Sequence, residues 1–122
     1  MLPTDARGMQ RIGELRYKVW EEENSINTEL FPNRCWIDPM DTEARHWVVE
    51  IEDTGEVVAT ARLTLHTSLE DSSRDVQIWQ RCGKHLPLPT VDLGRLVVLS
   101  VHRGRGLAQM LNKVRIEAAR DM

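Results

Sequence analysis

The spacing of apolar residues predicts a helix near the start of the chain. Over residues 5–24 the apolar positions recur every three or four residues and so share one stripe of a helix. The stripe consists of Met9, Ile12, Leu15 and Val19, with Trp20 beside it. Residues 25–44 lose this period and contain Pro32 and Pro39, so we expect an irregular segment with one short helix near residues 28–31.

Alternating apolar and polar residues follow, and they predict an antiparallel hairpin. The alternation covers residues 45–52 and, more regularly, residues 56–65, with the turn sequence Asp53-Thr54-Gly55 between them. In the second strand the apolar face consists of Val57, Ala59, Ala61, Leu63 and Leu65. Two such strands joined by a short glycine-containing turn pair with each other.

The second half of the chain predicts a strand that leads directly into a helix. We expect a polar loop over residues 66–75 and a short helix over 76–83. A strand over 91–101 contains the continuous apolar run 96–99, which predicts cover on both faces, and Gly94 indicates a bulge. Helical spacing resumes over 104–120. The order helix, hairpin, strand, helix predicts an α/β or α+β domain with a mixed, mostly antiparallel sheet.

Composition and charge narrow the class of protein. A chain of 122 residues, 41% hydrophobic and 29% charged, predicts one soluble domain, and it shows no membrane span or signal peptide, so we expect the cytoplasm. Two distant cysteines, Cys35 and Cys82, exclude a disulfide-stapled or zinc-clamped miniprotein. The net charge of −3 argues against general nucleic-acid binding. Residues 95–122, however, hold six basic and two acidic residues, which favours a small anionic ligand.

The junction over residues 98–108 carries the most informative chemistry. An apolar strand passes through a glycine turn straight into an amphipathic helix. The first N–H groups of a helix have no partner within the helix and lie at its positive end. Gly104 and Gly106 allow a ligand to approach this backbone closely, and Arg103 and Arg105 add positive charge. The sequence therefore predicts an anion site that fits a pyrophosphate.

This junction resembles a known motif. The spacing Arg-x-x-Gly-x-Ala from Arg103 to Ala108, with Val98 five residues ahead, resembles the acetyl-CoA-binding motif of the GNAT superfamily of N-acetyltransferases. Leu15-Arg16-Tyr17-Lys18-Val19-Trp20 resembles the first helix of that family, and the hairpin its second and third strands. The resemblance implies a single GNAT-like domain over 1–122 that needs no metal ion. It would transfer acetyl from acetyl-CoA to a primary amine of a small molecule or peptide by direct attack.

The resemblance also implies roles for particular residues. Backbone amides between Arg105 and Ala108 would hold the pyrophosphate, while the strand backbone pairs with the pantetheine arm. An amide near Val98 would polarise the thioester carbonyl as an oxyanion donor. The cofactor-binding set is then Leu96, Val97, Val98, Arg103, Gly104, Arg105, Gly106, Leu107 and Ala108.

The general base is less clearly marked. Asp92, on the strand that leads to the motif, is the first candidate, and its plainer interpretation is a solvated acid at a strand start. His66, at the exit of the hairpin, is the second candidate, and its plainer interpretation is a loop histidine. The other three histidines, His46, His85 and His102, show neither metal-site nor triad spacing.

The chain departs from the family pattern at its end. A GNAT domain continues with a strand, a helix and two closing strands, so the resemblance implies a C-terminally incomplete domain without the family's tyrosine acid. The open edge of the 91–101 strand then predicts a homodimer or a weakly stable monomer, with slow acetyl transfer. Three alternatives stay open: an acyltransferase similar to autoinducer synthases, a non-catalytic acyl-CoA-binding or assembly module, and a nucleic-acid contact through the basic end.

Overall fold

The computed structural model describes residues 6–24, 26–66 and 90–121. These residues form two α-helices and three strands, in the order α1 (Ala6–Glu22), β1 (Arg45–Glu50), β2 (Val57–His66), β3 (Thr90–Val98) and α2 (Leu107–Arg120). Single turns of 3-10 helix occur at Thr28–Leu30, Pro39–Thr42 and Ser100–His102. Apart from His66, the expected loop over 66–75 and the expected short helix over 76–83 lie outside the described residues, as do Cys82 and His85.

The three strands form one antiparallel sheet in the order β1-β2-β3. The predicted hairpin is confirmed, because β1 pairs with β2 and places Trp47 opposite Ala61. On the other side, β2 pairs with β3 and places Ala59 opposite Val98. Within the described part of the chain, β3 is paired along one edge only. The homodimer expected from this edge stays a prediction that light scattering tests.

One helix covers each face of the sheet. On the α1 face the core consists of Leu15, Val19, Val58, Val97 and Leu99. On the α2 face it consists of Ala59, Ala61 and Leu111. The central strand β2 is therefore buried on both faces, and its polar residues Thr60, Arg62 and Thr64 are buried with the rest. Alternation in this strand separates two buried faces, one apolar and one polar.

The bulge expected near Gly94 is confirmed. Thr60 pairs with Val97 while Arg62 pairs with Gly94, so β3 holds one more residue than β2 over this step. The left-handed residue is Arg95, with φ of 53°, and not the glycine. Arg115 of α2 donates to the carbonyls of Arg62 at 3.1 Å and Gly94 at 3.0 Å, which anchors the bulge from the other layer.

The bulge corrects the prediction that the run 96–99 is covered on both faces. Leu96, which follows the bulge, keeps 36% of its surface exposed, whereas Val97 and Leu99 are buried. The strand ends at Val98, earlier than the predicted residue 101. The helix begins at Leu107, later than the predicted residue 104. Between them lie the turn Ser100–His102 and two left-handed glycines, Gly104 with φ of 82° and Gly106 with φ of 79°.

Candidate functional site

A cleft of about 530 Å³ opens where the end of α1, the end of β3 and the start of α2 meet. One wall comes from α1 through Val19, Trp20 and Glu23. The rest consists of Leu96, Val97, Val98, His102, Arg103, Gly104, Gly106, Leu107, Ala108 and Gln109. The structure therefore brings eight of the nine predicted cofactor-binding residues into one cleft, and it places Arg105 outside the lining.

The glycine turn leaves the start of α2 accessible. Gly106 is the N-cap residue of α2, and no side chain caps the first turn. Its carbonyl accepts a hydrogen bond from the N–H of Met110 at 3.0 Å, so the helix is regular from its first turn. A Cβ atom added at Gly104 or Gly106 would meet no atom within 4 Å. The free N–H groups at the positive end of α2 thus face open space, as an anion site requires.

The backbone of Val98 lies on the open edge of β3. The N–H of Leu99 donates to the carbonyl of Val58 at 2.8 Å, toward β2. Successive residues of an antiparallel strand direct their backbone groups to opposite sides, so the N–H of Val98 points away from β2. Its carbonyl accepts from Arg103 Nε at 3.2 Å. The Val98 amide hydrogen therefore remains available to a ligand in the cleft, while its carbonyl already has a partner.

The two arginines of the motif differ in their surroundings. Arg103 Nη2 donates to Glu23 Oε1 at 2.6 Å, which joins the glycine turn to the end of α1. Both side chains of this ion pair are about half exposed. Arg105 is exposed, and its Nη1 lies 3.5 Å from His102 Nδ1. The positive charge of Arg103 is thus partly balanced by Glu23, whereas that of Arg105 is directed to solvent.

The two candidate bases lie close to each other and away from the cleft. Asp92 pairs with Thr64 across β2 and β3, and the Thr64 hydroxyl lies 2.7 Å from His66 Nε2. His66 is the last residue of β2 and only 2% exposed, so the interpretation as a loop histidine is wrong. Asp92 lies six positions before Val98, which is about 20 Å at roughly 3.3 Å per residue. Neither candidate lines the cleft.

Sequence reasoning missed a largely buried group of charged side chains. We call it the arginine–aspartate cluster, and it consists of Arg16, Asp38, Asp41, Arg62 and Arg95. Arg16 binds Asp41 through two hydrogen bonds of 2.9 and 3.1 Å. Arg62 bridges the two carboxylates, at 2.9 Å from Asp38 and 3.2 Å from Asp41. Arg95 Nη2 completes the chain by donating to Asp38 Oδ2 at 2.9 Å. The cluster links α1, the Pro39–Thr42 turn, β2 and β3.

Both aspartates of the cluster are held in the charged form. Burial alone would raise the pKa of Asp41, but hydrogen bonds and charge from Arg16 outweigh it and hold that pKa below its ordinary 3.8. Burial would also raise the pKa of Asp38, but the positive charge of Arg62 and the hydrogen bonds from its arginine partners outweigh burial and lower that pKa. His46 lies beside them with Nε2 2.9 Å from the backbone oxygen of Asp41. Burial lowers the pKa of His46 and favours its neutral form.

A local signal for this cluster exists in Asp38-Pro39-Met40-Asp41. Asp38 caps the turn by accepting from the N–H of Met40, and Asp41 accepts from the N–H of Asp38, which makes a capping box. An acid, then proline, then a second acid three positions after the first is a sequence pattern of helix starts. Pro39 is therefore the first residue of a turn as well as a breaker of the preceding segment. The pattern predicts the turn, although it does not reveal which arginines bind it.

Comparison with known proteins identifies the class of this fold. A strand, a glycine turn and an uncapped helix start, facing one cleft, are the parts of a nucleotide-phosphate site on an α/β domain. A family model described as an acetyltransferase (GNAT) domain matches residues 15–113. That match covers well over half of the chain, so the chain belongs to the GNAT acetyltransferase family. A search of curated proteins finds no match.

Two features are absent from the described residues, 6–24, 26–66 and 90–121: a membrane-spanning helix and a metal-binding group. No helix among them is both long and apolar enough to cross a membrane. No group of three or more His, Cys, Asp or Glu side chains among them is arranged to hold a metal ion.

Proposed function

We propose that this GNAT domain transfers an acetyl group from acetyl-CoA to a primary amine of a small molecule or peptide. The amine nitrogen attacks the thioester carbonyl carbon directly, the carbon–sulfur bond breaks, and the thiolate of CoA leaves and takes up a proton. No covalent bond to the enzyme forms. The single observation that carries the proposal is the cleft, because residues chosen from the sequence motif line it together.

The size and chemistry of the cleft support a CoA thioester as donor. About 530 Å³ lies within the range of about 300–1,000 Å³ that is common for small-molecule sites. The start of α2 offers free backbone N–H groups for a pyrophosphate, and Gly104 and Gly106 leave space for it. The N–H of Val98 points to the open edge of β3, where it can stabilise negative charge that develops on a thioester oxygen. In this proposal positioning and charge stabilisation supply most of the rate enhancement.

A non-catalytic acyl-CoA-binding module is the second candidate function. The observation in its favour is that neither Asp92 nor His66 lines the cleft. A module would be stabilised by CoA and would not consume a thioester. Release of thiol from acetyl-CoA in the presence of amines supports the enzyme, and stabilisation without release supports the module. A longer acyl-CoA in the same assay tests the alternative of an acyltransferase similar to autoinducer synthases.

The proposal is tested with two matched glycine variants. Gly106 in the cleft and Gly55 in the β1–β2 turn have similar left-handed φ values of 79° and 70°. Gly106→Val and Gly55→Val therefore impose comparable backbone strain, but only the first places a side chain in the cleft. We expect calorimetry to show that CoA binds the Gly55→Val protein as it binds the unmodified chain, and that Gly106→Val abolishes binding. Unchanged CoA affinity in a folded Gly106→Val protein contradicts the proposal.

A further inference from the structure

Arg95 occupies an unusual position next to the cleft. Its φ of 53° places an arginine in the left-handed region, which is strained for a residue with a Cβ atom. Its neighbour Leu96 lines the cleft. Its guanidinium carbon lies 5.9 Å from the ring centre of Trp20, another lining residue, and 5.8 Å from that of Trp36. The strained backbone thus directs a cation onto two indole rings beside the cleft wall.

The charges around Arg95 do not balance. The arginine–aspartate cluster contains three guanidinium groups and two carboxylates, all linked by ion pairs of 3.2 Å or less. His46, which lies 4.0 Å from Asp41, is neutral near pH 7 because burial lowers its pKa. Within the described ranges 6–24, 26–66 and 90–121, the cluster therefore keeps one positive charge more than its carboxylates balance. Arg16 and Arg62 are almost fully buried, whereas the Arg95 side chain is 35% exposed, so solvent or a ligand reaches the excess charge at Arg95.

The hydrogen bonds of Arg95 leave one side of its guanidinium open. Both Nε, at 3.3 Å, and Nη2, at 2.9 Å, donate to Asp38 Oδ2. A guanidinium has five N–H donors in a planar fork, so the outer edge formed by Nη1 and Nη2 still carries donors directed away from Asp38. Two parallel N–H groups of this kind match the two oxygens of a carboxylate.

Resting on the proposed acyl transfer, we propose that Arg95 binds the carboxylate of the acceptor, and that the acceptors are amino acids. A single negative charge on the ligand would balance the cluster. The indoles of Trp20 and Trp36, which meet edge to face with ring centres 4.5 Å apart, give the rest of an amino acid an apolar surface. Arg95 does not itself line the cleft, but its guanidinium lies over Trp20, which does, so the proposal places the amine of the same molecule on the Trp20 side of the cleft. Arg95 is then a specificity-determining residue.

The first test uses the unmodified protein. Each common L-amino acid is compared with its carboxamide, in which an uncharged amide replaces the carboxylate and the amine is retained. Thiol release is measured with acetyl-CoA and with a longer acyl-CoA, and tryptophan fluorescence with CoA present reports binding. We expect at least one amino acid to exceed its carboxamide by tenfold or more in kcat/KM, or in affinity where no turnover occurs. Equal behaviour of acids and carboxamides, or no effect of either, overturns the inference.

The second test uses variants with a charge-matched control. Arg95→Gln should raise KM or Kd for the preferred amino acid by tenfold or more and leave the values for its carboxamide almost unchanged. Arg95→Lys keeps the charge but lacks the planar fork, so it should reduce the preference without abolishing it. Arg45→Gln removes an exposed positive charge at the start of β1 and should have no effect. If Arg95→Gln does not fold, Arg95→Lys and the acid-to-carboxamide comparison decide.

These outcomes separate this inference from the proposed function. If the unmodified protein does not bind CoA in the thermal-shift or calorimetric assay, the proposed function fails. If it binds CoA but does not distinguish amino acids from their carboxamides, the proposed donor site stands and the assignment of Arg95 is wrong.

Discussion

The cleft and the arginine–aspartate cluster both contain arginine, yet they are built in opposite ways. The floor of the cleft comes from one continuous stretch, residues 96–109, and its charged side chains are exposed. The cluster joins residues from four separate elements, and Arg16, Asp41 and Arg62 are almost completely buried. The cleft offers unpaired backbone groups to a ligand, whereas the cluster satisfies its charges internally, apart from the outer edge of Arg95.

From this difference we infer that the cleft serves ligand binding and that the cluster stabilises the fold. The cleft lies between α1 and β3, and the cluster connects these same two elements through Asp38 and Asp41. Because these ion pairs connect the two elements that border the cleft, we expect the cluster to stabilise their separation. Changes at the buried residues Arg16, Asp41 and Arg62 should therefore act mainly on stability, and changes in the cleft mainly on ligand affinity.

The largest expected effect follows from removing one buried charge. Asp41→Asn removes the carboxylate that pairs with the buried Arg16 and one of the two that pair with Arg62, and such changes cost about 3–5 kcal/mol. Urea denaturation measures the loss as a lower free energy of unfolding. Asp53→Asn, in the exposed β1–β2 turn, is the control and should change it by less than about 0.5 kcal/mol. A loss below 1 kcal/mol for Asp41→Asn would show that the cluster does not support the fold.

The two arginines of the glycine turn should affect binding and leave the fold intact. We expect Arg103→Ala and Arg105→Ala each to weaken CoA binding by about 5- to 30-fold, as for the loss of a charge-assisted hydrogen bond. The effect should shrink in high salt, because both side chains are exposed. Calorimetry at two salt concentrations measures it, with Lys113→Ala on the exposed side of α2 as the control. If the maximal rate collapsed while CoA affinity stayed level, both residues would have a chemical role instead.

A smaller effect should appear as the pH falls. Burial lowers the pKa of His46 below its ordinary 6.5, so below that pH the unfolded chain binds a proton that the folded chain does not. Stability should therefore fall by up to about 1.4 kcal/mol per pH unit from pH 6.5 down to the pKa of the folded state. Asp38 and Asp41 add a further loss only below pH 3.8, because their pKa values are lowered from there.

The measurement is urea denaturation between pH 7 and pH 4.5. His46→Gln, which retains a hydrogen-bond donor toward the Asp41 carbonyl, should flatten the profile over that range. His102→Gln, at the partly exposed edge of the cleft, should leave the profile unchanged. A profile for His46→Gln as steep as that of the unmodified protein would assign the acid sensitivity to other groups.

The same contrast explains how far the sequence predicts the molecule. Periodicity and turn residues are local signals, and they place α1, the hairpin, the bulge at Gly94 and the glycine turn before α2. The cleft follows from that turn, because its residues are neighbours in sequence. The cluster brings together residues as far apart as Arg16 and Arg95, and no local pattern encodes their pairing. Arg62 illustrates this limit of local patterns. Its place on the polar face of an alternating strand predicts exposure, but α1 and the Pro39–Thr42 turn cover that face and bury it.

The bulge shows a similar limit on a smaller scale. Gly94 indicates a break in the ladder, but the left-handed conformation falls on Arg95, where the ion pair with Asp38 and the two indoles hold the side chain. Arg115 also appears in the sequence as an ordinary basic residue of a helix. Its burial against the carbonyls of Arg62 and Gly94 depends on how α2 packs on the sheet.

The central claim, that CoA binds at the start of α2 and along the open edge of β3, is tested most directly by mapping backbone amides with NMR. Acetyl-CoA is added to the isotopically labelled chain, and the amide signals are followed to saturation. We predict saturable shifts at Val98 and at residues 104–108, with the β1–β2 turn around Gly55 unchanged. Absence of saturable shifts at residues 104–108, or shifts centred on another surface, would contradict the account.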